Sequence, residues 1–213
     1  MRKRSDAILN GLIAFVHDKL GLSPNQISLV GFVVGILAAG LVVSGYLEAG
    51  LGAMAVSQIV DGLDGGVARR YGLVSEKGKL LETVFDRLNE LMIFFALAIV
   101  GLASYRMAIL AVVAVLLITI VEPLSLFDPG FKRFMLYFGY LAAVVFHIRG
   151  FELAMHVIFW ANLTGFIIGT IMVDYRLQKE IDAQVLIRRK AEHGLGIPAL
   201  PADPPSFLSR VLA

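Results

Sequence analysis

The sequence predicts an all-α integral membrane protein: six transmembrane helices behind an N-terminal amphipathic helix that lies on the membrane surface. Three observations predict it. The 213 residues are 58% hydrophobic and only 17% charged, with a mean hydropathy of +0.79, far from a soluble average. The apolar residues gather into six runs separated by short polar stretches. Of the 19 Lys and Arg residues, all but Arg106 and Arg149 fall on one side of the helices those runs would form.

Residues 5–20 read as the interfacial helix. Ile8, Leu9, Leu12, Ile13, Val16 and Leu20 share a face, while Asp6, Asn10, His17 and Asp18 lie mostly off it. The opening MRKRSD has no apolar core or small-residue cleavage site, so no removable signal peptide is expected. Gly21 ends the helix. Ser23-Pro24-Asn25-Gln26 then carries the marks of a helix start: Ser23 as N-cap, Pro24 at the first position and Gln26 closing a capping box.

The six runs occupy about 27–46, 49–67, 80–102, 107–124, 134–148 and 151–173. A spanning helix needs about 20 residues, which several runs reach only with their flanks. The fifth is the shortest. A tight Gly45–Gly50 turn joins the first two, and Gly31, Gly35, Ala38 and Ala39 suit close helix packing. The sixth helix is expected to continue past Asp174 as a polar helix to about Glu192, with Arg188-Arg189-Lys190 near anionic headgroups or simply solvated. The last 20 or so residues, rich in Gly and Pro, read as a disordered tail. The expected organisation is therefore an interfacial helix over 1–22, a six-helix membrane domain over 23–175, and a cytoplasmic helical extension and tail over 176–213.

The basic residues place both termini, and the loop between the second and third helices, on the cytoplasmic side of the cell membrane. A net charge of +2 is too small to argue for a nucleic-acid partner. The absence of cysteine excludes a disulfide framework and a thiolate metal site.

That cytoplasmic loop and its flanking helix ends hold an unusual segment, DGLDGGVARRYGLVSEKGKLLETVFD, over Asp61–Asp86. Ionisable groups beside hydrocarbon are expensive, which makes the segment a functional-site candidate. Ser57, Asp61, Asp64 and Ala68 recur at helical spacing and share a face of the second helix. Glu82, Asp86 and Asn89 do so on the third, so two polar stripes are expected to face each other, with Gly72 and Gly78 giving the loop freedom to turn. Four neighbouring carboxylates need countercharge. Two hard divalent cations, Mg²⁺ or Mn²⁺, would supply it and would bind a diphosphate. Arg69 is placed to hold phosphate oxygens through its planar fork, and Gly65 and Ala68 leave room for a flat group against the helix. Spacing alone thus points to a metal-dependent diphosphate site at a membrane surface.

The pattern Asp61-x2-Asp64-Gly65-x2-Ala68-Arg69-x8-Gly78-x3-Glu82-x3-Asp86 resembles the signature of the CDP-alcohol phosphotransferases, integral membrane enzymes of phospholipid synthesis. Ser-Pro-Asn-Gln-Ile-Ser at 23–28 is similar to that family's entry to its first membrane helix. The resemblance covers about residues 5–175 and leaves the tail out. It implies transfer of a substituted phosphate from a CDP-linked alcohol, usually CDP-diacylglycerol or its archaeal ether equivalent, to a polar alcohol, with release of CMP. It further implies that Asp61, Asp64 and the residue at 82 bind the two metals with Asp86 contributing. It gives Asp86 the role of general base, sets Gly65, Ala68, Arg69 and Gly78 against the CDP moiety, and makes the enzyme a homodimer.

Glu82 is the departure, because the signature has Asp there. The extra methylene means wider-set helices, a different metal preference or weaker activity, since Mg²⁺ tolerates little geometric error. Taken alone, Glu82 reads as a charge paired with Lys79.

Lys132 and Arg133 begin the fifth helix on the cytoplasmic side. They are candidates for an acceptor phosphate, as in glycerol 3-phosphate or inositol 1-phosphate; the plainer reading is flanking charge that sets topology. Pro129–Tyr137 faintly resembles a basic patch of family members that use phosphorylated inositols. Asn162 and Thr164 suit interhelical hydrogen bonding, and Asn89 either positions the base or serves packing. Two other classes compete. Aspartate-rich membrane prenyltransferases also use Mg²⁺ and a diphosphate, but need a second Asp-rich motif that residues 100–173 lack. A transporter with a carboxylate ion site explains the acids but not Gly65, Ala68, Arg69 and Gly78, and no inverted repeat is visible.

Overall fold

The computed structural model describes residues 11–125 and 132–192, with side chains as far as residue 186. Each of the six apolar runs forms an α-helix: α1 (Pro24–Val43), α2 (Leu47–Arg70), α3 (Glu76–Ile99), α4 (Tyr105–Ser125), α5 (Phe134–Phe146) and α6 (Gly150–Glu192). Before them, residues 11–14 are helical and tighten no further: Phe15–Lys19 closes as a π-helical turn. Among the described residues there is no strand. Among the described residues, three segments are long and apolar enough to cross a membrane: Pro24–Val43, Tyr105–Ser125 and Gly150–Leu186. The charges of the Asp61–Asp86 segment dilute the hydropathy of α2 and α3, and α5 has only 13 residues.

The helix ends follow local chemistry. The capping box at α1 forms as its sequence predicts: Gln26 N–H donates to Ser23 Oγ at 3.4 Å, and Ser23 N–H donates to Gln26 Oε1 at 2.9 Å. Ser75 caps α3 by accepting from Gly78 N–H at 3.0 Å. Gly78 therefore sits inside the first turn of α3. It does not loosen the loop, as its spacing had suggested; Gly72, with φ +66°, is the residue that turns the chain. α5 stops at His147, whose left-handed φ of 53° breaks the helix. The last helix does continue to Glu192. The tail beyond it, the side chains of Arg188, Arg189 and Lys190, and residues 129–131 of the faint basic patch lie outside the described residues.

The chain divides into two compact units, Met1–Val112 with Lys132–His156, and Val113–Phe131 with Val157–Ala213. In the first, α1 packs against both α2 and α3. Small residues allow this closeness. A Cβ on Gly50 would come within 2.9 Å of the Ala38 carbonyl oxygen, and one on Gly31 within 3.5 Å of the Ser57 carbonyl oxygen. Ser57 Oγ donates across this seam to the Gly31 carbonyl at 2.8 Å. Between α1 and α3, Phe32 stacks on Phe85 with centroids 4.5 Å apart, and Gly35 leaves room for the buried amide of Asn89. Asn89 Oδ1 has no hydrogen-bond partner among the described residues.

The N-terminal segment is tied to the site-bearing end of this unit. Ile13 is buried with Ile27, Leu63 and Val67, against Gly66. Of the expected apolar face, Ile13 and Val16 pack inward while Leu12 and Leu20 stay exposed; Asp6, Ile8, Leu9 and Asn10 lie outside the described residues. His17 tilts against the Tyr71 ring at 4.0 Å. The Tyr71 hydroxyl donates to Asp18 at 2.7 Å, a bond that holds this phenol protonated above the ordinary tyrosine range.

In the second unit, Gly169 approaches Val121 and Ser125, and Arg176 Nη1 donates to the Leu124 carbonyl at 3.1 Å. Asn162 was expected to bond between helices. Its amide instead donates to Ile158 of its own helix at 2.7 Å, and Thr164 is exposed.

Candidate active site

The two acidic stripes meet. Asp61 and Asp64 on α2 and Glu82 on α3 each present a carboxylate oxygen, and the three oxygens lie within 4.8 Å of one another. Both helices pack against α1 and a short loop joins them, so the ends that carry the acids are brought to one level. The donor set is entirely hard oxygen. It suits Mg²⁺ or Mn²⁺ and offers nothing to a softer ion. Glu82 thus joins the acids and is not spent on Lys79, whose Nζ pairs with Glu76 at 3.4 Å.

Asp64 is the most enclosed of these acids, at 2% exposure. One of its oxygens accepts the hydroxyl of Ser28 from α1, and the other accepts the backbone N–H of Gly65. Ser28 belongs to the Ser23–Ser28 entry motif, of which only the capping box was legible. Its role needed the third helix of the seam, since nothing in the spacing of α2 and α3 says that α1 supplies a donor.

Beside the acids opens a cavity of about 230 Å³. Gly65, Ala68, Arg69 and Gly78 all line it, together with Asp64 and Glu82. The glycines make space at this wall: a Cβ on Gly78 would lie 3.0 Å from Ser75 Oγ and 3.3 Å from Asn25 Oδ1, and one on Gly65 would lie 3.1 Å from the Arg69 guanidinium. Asn25 and Ser28 from α1 and Lys79 from α3 also face it, and none of the three was singled out from sequence as a binding residue. An anion entering here meets Arg69 and Lys79 as well as Asp64 and Glu82.

Asp86 is not one of the three acids whose oxygens converge, and it is joined to Asp61 through Arg133. It accepts a hydrogen bond from Arg133 Nη2, and the same nitrogen is 3.9 Å from Asp61 Oδ2. Arg133 Nε in turn is 3.9 Å from Glu90 Oε1, while Glu90 Oε2 accepts from Arg87 Nη1 at 2.7 Å. Lys132 is 6% exposed. These two cations therefore do not stand as flanking charges at a surface, because the start of α5 turns Arg133 inward against the carboxylates. Glu90 and Arg87 were missed by sequence reasoning. The signal was present for Glu90, which lies four residues beyond Asp86 as Asp86 lies four beyond Glu82, on the same helical face.

Residues 21–168 match the family model described as CDP-alcohol phosphatidyltransferase. Among curated proteins, the chain is 35% identical over 95 residues to the archaetidylinositol phosphate synthase of Pyrococcus horikoshii, covering 44% of this chain and 50% of that protein. The chain thus spans about half the length of that relative. Among solved structures, the fold matches Mycobacterium tuberculosis phosphatidylinositol phosphate synthase with CDP-DAG bound, at a TM-score of 0.63 and 18% identity over 78% of this chain and 92% of that one. A second structure of the same enzyme, in complex with manganese and citrate, matches with a TM-score of 0.63 at 17% identity, over 78% of this chain and 87% of that one.

Proposed function

Because the chain belongs to the CDP-alcohol phosphatidyltransferase family, we propose that it transfers a substituted phosphate from a CDP-linked lipid to a phosphorylated polar alcohol and releases CMP. The observation that carries this reading is the three-carboxylate cluster, two of whose acids, Asp64 and Glu82, line a cavity together with Gly65, Ala68, Arg69 and Gly78. Family membership removes the prenyltransferase and transporter readings.

The donor is CDP-diacylglycerol or an archaeal ether equivalent, a reading supported by the CDP-DAG complex of a protein with this fold. Asp61, Asp64 and Glu82 would hold divalent ions, with Asp86 contributing, and the manganese complex of that same protein supports this choice of ion. Bound there, such ions would supply charge neutralisation for the diphosphate and for the departing CMP. Arg69 clamps diphosphate oxygens through its fork. Gly65, Ala68 and Gly78 let the nucleotide lie against the helix backbone. Asp86 takes the proton of the acceptor hydroxyl as its oxygen bonds to the phosphorus on the lipid side. The phosphorus–oxygen bond to CMP breaks, and a phosphodiester remains. Positioning and charge supply most of the acceleration in such transfers, so few groups are needed.

The acceptor is inositol 1-phosphate or glycerol 3-phosphate. Lys132 and Arg133 receive its phosphate, a reading supported by their inward placement and by the name of the Pyrococcus relative. The same reading makes α1–α6 six membrane spans with the site at the cytoplasmic face of the cell membrane, and the enzyme a homodimer.

The test is CMP release from a CDP-lipid in detergent–lipid micelles with a panel of acceptors: inositol 1-phosphate, glycerol 3-phosphate, inositol and serine. Only the phosphorylated alcohols should support turnover. Asp86→Asn should abolish it while the protein still elutes as a folded species. Unchanged turnover in that variant, or equal rates with serine, overturns the assignment.

A further inference from the structure

Glu90 is a buried carboxylate that the reaction, as described, does not use. It is 4% exposed on α3, four residues past Asp86. A charge that deep persists only with partners, and Glu90 has one guanidinium at each oxygen: Arg87 at 2.7 Å and Arg133 at 3.9 Å. Arg133 is held from two directions. Its Nε edge faces Glu90, and its Nη2 end bonds Asp86 and lies 3.9 Å from Asp61. One cation is therefore shared between a carboxylate outside the metal-binding set and two carboxylates inside it.

We propose that Glu90 is a positioning residue that competes with Asp86 and Asp61 for Arg133, so that divalent ions can displace the guanidinium from those carboxylates more easily and leave it to the acceptor. This rests on the metal-site reading above. The physical argument is competition. Arg133 and a divalent ion both want Asp86 and Asp61, and a guanidinium pulled wholly onto them raises the cost of ion binding. Glu90 supplies the opposing pull. Its fork geometry suits the task, since a guanidinium offers separate donors along two edges and can be shared between two acids without losing either.

The sign of each substitution follows. Glu90→Gln removes the opposing charge, makes Arg133 harder to displace from Asp86 and Asp61, and should weaken Mn²⁺ binding by roughly tenfold, about 1.4 kcal/mol. Arg133→Gln removes the competitor and should tighten Mn²⁺ binding. In the Arg133→Gln background, Glu90→Gln should change Mn²⁺ affinity by no more than about threefold, the remnant of direct attraction between Glu90 and the ion.

The experiment is a titration of the purified full chain in detergent with Mn²⁺, read as free Mn²⁺ by electron paramagnetic resonance, without either substrate. Wild type, Glu90→Gln, Glu90→Asp, Arg133→Gln and the Glu90→Gln/Arg133→Gln double variant are compared. Glu90→Asp keeps the charge and should fall between wild type and Glu90→Gln. Unchanged affinity in Glu90→Gln overturns the proposal. So does a tenfold loss that persists in the double variant, because it would then act through Arg87, Lys132 or packing. If Glu90→Gln does not fold, Arg133→Gln alone decides: unchanged or weaker Mn²⁺ binding overturns the proposal. Asp61→Asn separates the two levels. Wild-type Mn²⁺ binding in that variant overturns the metal-site reading itself, whatever the Glu90 variants do.

Discussion

Removing the Ser28 hydroxyl should weaken the metal site from outside it. Asp64 is nearly inaccessible, and the Ser28 hydroxyl and the Gly65 N–H occupy one oxygen each. Ser28 Oγ is also 3.1 Å from the Pro24 carbonyl, and it has one proton to give. The carboxylate takes it, because a hydrogen bond to an ionised acceptor is roughly twice as strong as one to a neutral carbonyl. Ser28→Ala therefore leaves one Asp64 oxygen without its orienting donor, at a cost of about 1.5–3 kcal/mol for a bond to a charged group. Spread between fold and site, this should lower Mn²⁺ affinity by about 10–100-fold, the range seen for partners that orient metal ligands. The assay pairs Mn²⁺ titration with CMP release over rising Mn²⁺. Because the defect lies in ion affinity, raising Mn²⁺ should restore the rate. Ser57→Ala is the control. It deletes a buried hydroxyl in the same α1–α2 seam that bonds a backbone carbonyl and no acid. It should leave Mn²⁺ affinity unchanged. An unchanged affinity in Ser28→Ala, or a rate deficit that no Mn²⁺ concentration repairs, refutes the reasoning.

Two further outcomes are expected. Glu82→Asp should retain or raise turnover in Mg²⁺, because Glu82 already lies with Asp61 and Asp64; total loss of CMP release would show that the longer side chain serves another geometry. Gly50→Ala should lower the melting temperature in detergent, since its Cβ would press on the Ala38 backbone 2.9 Å away, an overpacking cost of about 1–3 kcal/mol; an unchanged melting temperature would mean the α1–α2 seam is looser than the distances say.

Much of the site was legible because helical spacing is arithmetic. Asp61 and Asp64 share a face, Glu82 and Asp86 share another, and a short Gly72-containing loop between two helices leaves them few ways to meet. The same arithmetic misread Gly78, which lies in the first turn of α3 under a Ser75 cap. It also misread Asn162, whose side chain found a carbonyl one turn back in its own helix. Lys132 and Arg133 looked like topology signals, since any cation at a cytoplasmic helix end looks so; their inward turn depends on how α5 enters the bundle.

The sequence by itself determined the all-helical class of this protein, the carboxylate cluster and the family whose signature that cluster completes. These follow from local periodicity, composition and short-range spacing, which are properties of one stretch of chain at a time. Only the tertiary structure decided the partners. It put Ser28 of α1 on Asp64, divided Arg133 among Asp86, Asp61 and Glu90, and placed Asn25 and Lys79 at the wall of the cavity. The physical reason is separation along the chain. Ser28 and Asp64, or Asp86 and Arg133, lie tens of residues apart, and each pair meets only once the helices pack; for Ser28 and Asp64, small residues such as Gly31 and Gly50 let α1 and α2 approach closely enough.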